Sequence, residues 1–95
     1  MERSEILYHA LDAMIELGIF DDAGYSRSEI TEESTLSFLI VDSLDAVEFT
    51  LEVEEFMNFS MSQEESETIS LILLDDERTM KELVDKLSEI YDANY

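Results

Sequence analysis

The chain contains no cysteine. Disulfides, thiolate metal ligands and a cysteine nucleophile are thereby excluded, and any thiol chemistry has to come from an added group. There is no apolar run of membrane-spanning length, and Met1-Glu2-Arg3-Ser4-Glu5 is too acidic and polar to open a signal peptide. A cytoplasmic protein with no membrane part is expected. Positive charge is the third scarcity: five Lys and Arg stand against 25 Asp and Glu, for a formal charge of −20, and none of the five lies between Arg27 and Arg78. Nucleic acid and anionic membranes are therefore poor partners, whereas basic proteins are steered toward such a surface at low salt. Histidine is reduced to His9, which has neither a second ligand nor a nucleophile beside it. A surface or packing role is expected for it.

What is present is 45% hydrophobic content in 95 residues. That suffices for one domain, residues 1–95, with one modest core, near the size at which independent folding is marginal. The apolar residues recur at helical spacing, which sets the chain apart from disordered acidic segments. A first helix is predicted after Ser4, with Ile6, Leu7, Ala10, Leu11, Met14 and Ile15 on its apolar side and Gly18 ending it. Residues 18 to 41 make a long connection, with turn signals at Asp21-Asp22-Ala23-Gly24 and with Ile19, Phe20, Tyr25, Ile30 and Leu36 available to pin it to the core. It is a poor calcium loop, because Ala23, Tyr25 and Ser26 occupy positions that need two oxygen ligands and a glycine.

A short third helix should open with the capping box Ser62 and Glu65 and run through about Ile69. Ser70 to Arg78 then forms an insertion, and its run Leu71-Ile72-Leu73-Leu74 must be buried, whether by prolonging the helix, by running extended or by walling a pocket. The last helix has Thr79 and Glu82 as a capping box and Met80, Leu83, Val84, Leu87, Ile90 and Tyr91 on one face, with Lys81 and Lys86 pairing locally. Met14, Met57, Met61 and Met80 serve ordinary core packing. The expected fold class is all-α: a small four-helix bundle with a long first loop and a short third helix.

The central stretch runs from Asp42 to Met57. Asp42 is a good N-cap, which places Ser43 at the first helical position, where backbone N–H donors and the helix dipole would favour a phosphate ester on its hydroxyl. Beyond it lie two apolar stripes, Ala46, Phe49, Val53 and Phe56 on one side and Leu44, Val47 and Leu51 on the other. A small bundle needs one of them. The second stripe is flanked by Asp45, Glu48, Glu52 and Glu55, with Glu54 on its far edge, and so is available to a partner unless neighbouring helices bury both.

The string Asp42-Ser43-Leu44-Asp45-Ala46-Val47-Glu48-Phe49 resembles the phosphopantetheine attachment motif of the acyl carrier proteins, Asp-Ser-Leu-Asp-x-Val-Glu-Leu/Phe, and is followed by Glu54-Glu55-Phe56. The resemblance extends over most of the chain. It implies a four-helix carrier whose Ser43, next to Asp42, accepts 4′-phosphopantetheine from coenzyme A through a phosphopantetheinyl transferase. The arm's thiol then holds an acyl group as a thioester for fatty-acid, polyketide or related biosynthesis. Leu44, Asp45, Val47, Glu48, Leu51, Glu54 and Glu55 would meet the basic docking surfaces of acyl-transferring or synthase enzymes. The carrier would be a monomer with no catalytic residue and no metal, acted on by its partners rather than an enzyme. One departure is Leu39-Ile40-Val41-Asp42-Ser43, where the family normally has Leu-Gly-x-Asp-Ser. If that position needs a positive φ or a close approach, Ile40 would be strained or obstructive; otherwise Phe38 to Val41 form an extended approach packed on the core. The alternative from another class is an acidic helical interaction module that carries no prosthetic group, with Ser43 only starting a helix. Cation buffering by clustered carboxylates is a third, without defined ligand spacing.

Overall fold

A computed structural model describes residues 1–94. They form α1 (Arg3–Glu16), α2 (Ser43–Met57), α3 (Gln63–Leu73) and α4 (Met80–Asn94), with single 3-10 turns at Arg27–Glu29 and Leu36–Phe38 in the first connection. The result is a small all-α, four-helix bundle.

Its core takes Ile6, Ala10 and Met14 from α1, Ala46, Phe49 and Val53 from α2, Ile69, Ile72 and Leu73 from α3, and Met80, Leu83, Val84, Leu87 and Ile90 from α4. Helix α1 begins at Arg3, slightly before the predicted start, and Ile15 is exposed rather than packed. Gly18 ends α1 as expected. Its φ of +74° lets its own N–H reach Ile15 O and the N–H of Ile19 reach Met14 O, both at 3.1 Å, so the last carbonyls of the helix are satisfied.

The long first connection is held by apolar pins and by main-chain pairing. Ile19, Ile30, Leu36 and Phe38 are buried, while Phe20 packs at the core edge and Tyr25 stays partly exposed with its ring edge toward Phe38. Near its ends, Ile40 N–H donates to Ile19 O at 2.7 Å and Asp21 N–H to Phe38 O at 2.9 Å. Further along, Leu36 N–H donates to Arg78 O, Met80 N–H to Ser34 O and Lys81 N–H to Glu32 O. The last two bonds occupy first-turn amides of α4 that the helix itself cannot satisfy. They supplement a capping box of which one half is seen, Glu82 N–H to Thr79 Oγ1 at 3.3 Å, while the Glu82 carboxylate lies 3.6 Å from Arg78.

Helix α3 is longer than predicted. It continues to Leu73, so of the arrangements open to Leu71–Leu74 the chain takes the prolonged helix, and a tight turn then leads on to α4. The expectation that all four residues of the apolar run are buried fails for a geometric reason. Ile72 and Leu73 turn into the core, whereas Leu71 and Leu74, three apart and hence on one side of the helix, are 67% and 43% exposed.

Cations tie the helices to the loop. Arg3 pairs with Glu32 and, at 2.6 Å, with Asp85, while Arg27 meets Asp12 at 2.7 Å and sits over the Tyr8 ring. These exposed pairs contribute little each and weaken with salt. Against them stands repulsion among 25 acids. The repulsive pairs are far more numerous, so the melting temperature should rise when sodium chloride is added from low ionic strength, and further with magnesium. A melting curve indifferent to both would show that self-repulsion is unimportant.

Candidate functional site

The start of α2 is built by a reciprocal cap. Asp42 Oδ1 accepts the Asp45 N–H at 2.8 Å, and Asp45 Oδ2 accepts the Asp42 N–H at 3.1 Å. Sequence reasoning identified Asp42 and missed Asp45, because the usual box has Glu or Gln at that third position. Val41, just before the cap, packs on the core. Ser43 is therefore fixed as the first helical residue by its neighbours, and it stands exposed with its hydroxyl outside the cap.

One α2 stripe is core and the other is not. Ala46, Phe49 and Val53 are fully buried and Phe56 lies at the core edge, whereas Leu44, Val47 and Leu51 are 65%, 51% and 58% exposed. Thr50, a member of neither apolar stripe, is buried with its hydroxyl donating to Val47 O at 2.7 Å, so it brings no unsatisfied group into the core. Where α3 crosses α2, Ser43, Val47, Ser66, Glu67, Ser70, Leu71 and Leu74 line an open groove of about 340 Å³. The two residues of the apolar run that escape the core are the ones that wall it.

Charge on α2 is one-sided. Arg3, Arg27, Arg78 and Lys86 form ion pairs on other elements, and among the described residues no cation pairs with Asp45, Glu48, Glu52, Glu54 or Glu55. Glu54 is nonetheless partly committed, since its carboxylate accepts the Met61 N–H at 2.6 Å and so braces the α2–α3 connection. Desolvation, with Glu16 and Glu55 nearby, raises the pKa of Glu52 above the usual carboxylate value. A folded-state pKa above the unfolded one means that protonation favours the fold. Glu52 therefore opposes folding at neutral pH, and its contribution improves as pH falls toward the raised pKa.

Ile40 needs no glycine-like backbone. Among the described residues only Gly18 and Asn58 have positive φ, so the expected strain at Ile40 is absent. Neither does its side chain pack on the core: Phe38 is buried and Leu39 and Val41 are packed, but Ile40 is 67% exposed.

His9 stacks on Phe56 with ring centroids 5.2 Å apart. Phe56 follows Ser43 by 13 residues of one helix, or about 20 Å along the axis, so His9 is no base for the Ser43 hydroxyl. Among the described residues no group of three or more His, Cys, Asp or Glu is placed to hold a metal ion, and no helix is long and apolar enough to cross a membrane. The chain matches no protein-family model, no curated protein and no solved structure. The site accordingly stands on its own geometry.

Proposed function

We propose that the chain is a monomeric cytoplasmic carrier protein in which Ser43 bears 4′-phosphopantetheine. The observation that carries this is an exposed serine at the first position of a helix capped wholly by its neighbours, opening onto an apolar-walled groove. The residues present fit such a group. Asp45 and Ala46 amides are used by Asp42, whose side chain and carbonyl accept them, so the amides of Ser43 and Leu44 are the first-turn donors left for a phosphodiester. When bound, the arm supplies the thiol that this cysteine-free chain lacks, and with it thioester chemistry for an acyl cargo.

Attachment is the transferase's reaction. Ser43 Oγ gives up its proton and bonds to the phosphorus of the pantetheine-side phosphate of coenzyme A, and adenosine 3′,5′-bisphosphate leaves. Val47, Leu71 and Leu74 offer the attached chain an apolar wall. Incubation with coenzyme A, magnesium and a broad-specificity phosphopantetheinyl transferase, followed by intact mass measurement, tests the proposal. A phosphopantetheine-sized gain supports it; no gain with any of several transferases overturns it and leaves the acidic interaction module, which the same exposed strip would serve without a cofactor.

Docking should follow the unpaired acids beside Leu44, Val47 and Leu51. Reversal of Glu48 and Glu55 to Lys is expected to slow loading by a basic transferase, mainly through association, and the deficit should shrink as salt is added. Equal loading rates for variant and wild type at low salt would move the docking surface elsewhere.

A further inference from the structure

Ile40 is an exposed branched side chain with a fixed outward direction. The segment approaching α2 is extended at Leu39 (φ −96°, ψ 143°), and in extended chain neighbouring side chains alternate. Leu39 and Val41 lie against the core, so Ile40 between them points away. Its backbone is anchored on both sides, by its own N–H to Ile19 O at 2.7 Å and by the Asp42–Asp45 cap two residues later. Turning the side chain inward would break that pairing. Three residues of chain span at most about 11 Å, so Ile40 stands within that distance of Ser43.

Burying an isoleucine is favourable, and this one is left in water beside the hydroxyl that the proposed function uses. Asp42, Asp45 and Glu48 follow it directly, in a chain of formal charge −20. Two copies would repel each other here, whereas a basic enzyme would not. Resting on the carrier proposal, we infer that Ile40 is a specificity-determining contact. It is received by an apolar recess, set in a basic surface, on the enzymes that act at Ser43, and it discriminates among such enzymes by whether they have that recess.

The test is a panel of phosphopantetheinyl transferases with coenzyme A, comparing kcat/KM for wild type, Ile40→Val and Ile40→Ala. The transferase that loads wild type best should lose at least about tenfold on Ile40→Ala, mostly through KM, with Ile40→Val between the two. Transferases that load wild type poorly should lose nothing or gain, so the ranking of the panel changes. Thermal melts should be the same for all three chains, because the side chain is exposed. Ratios of variant to wild type that agree across the panel within about twofold would overturn the inference while leaving the carrier function intact. A dimer of wild type that Ile40→Ala dissolves in analytical ultracentrifugation would overturn it too, by making the occupant a second copy. No loading of any chain by any transferase would overturn the carrier function itself and this contact with it.

Discussion

Ser43→Ala should abolish the phosphopantetheine mass gain proposed for the wild type and leave the melting temperature almost unchanged. The first half follows from chemistry, since alanine has no oxygen to bond to phosphorus. The second follows from the way α2 starts. The cap bonds run between Asp42 and Asp45, Ser43 is exposed, and alanine is the better helix former. Asp42→Ala should behave oppositely with respect to folding, losing about 1 kcal/mol with the cap while slowing loading, because the serine is then less firmly placed. Mass spectrometry and thermal melts on the two variants separate function from folding. Residual loading of Ser43→Ala would put the modification on another hydroxyl.

Phe49→Ala should be the most damaging single change to the fold. Phe49 is fully buried on α2, and its truncation leaves a cavity in a core that small helices cannot readily collapse around, at about 3–5 kcal/mol. That is a large part of the roughly 5–15 kcal/mol that stabilises a domain, so the melting temperature should fall by on the order of 15–30 °C. Loss would extend to the site, because the face of α2 that holds Phe49 also orients Val47 and Ser43. Leu71→Ser is the informative contrast. Leu71 is mostly exposed, so stability should stay within about 0.5 kcal/mol, while retention of a long acyl chain at the groove should fall. A melting temperature for Phe49→Ala within a few degrees of wild type would show that α2 is not packed as described.

The helices were legible in the sequence where caps and apolar spacing agree. Asp42, Ser62, Gly18 and the apolar face of α4 each act through neighbours within one or two turns, and such local rules survive without knowledge of the rest of the chain. For Leu44, Val47 and Leu51 the sequence left two outcomes, a free stripe or burial between neighbouring helices, and the packing of the bundle decides for exposure. Less visible was whatever depends on contact at a distance. The groove beside Ser43 exists because α3 crosses α2, which brings residues 43 and 71 together, and no local pattern encodes that approach. The run from Leu71 to Leu74 was too short for its period to show. Main-chain bonds from residues 32–36 to 78–81 leave almost no trace in side-chain identity, since any residue but proline can make them.

The bonds that close the first connection have a bearing on how freely this chain can vary. Ile19 with Ile40, and Asp21 with Phe38, fix the entry into α2 at the mouth of the loop, and Glu32 to Leu36 are fastened separately to the start of α4. The stretch from Asp22 to Thr31 between these fastenings is held by contacts of its own, Arg27 to Asp12 and the buried Ile30, rather than by the start of α2. Lengthening a loop that is already closed adds only a slowly growing entropic term, about 0.6 kcal/mol for each doubling. Additional sequence spliced in near Gly24, for a tag, a fluorophore or a second binding element, would therefore be carried at the edge of the bundle without shifting the serine.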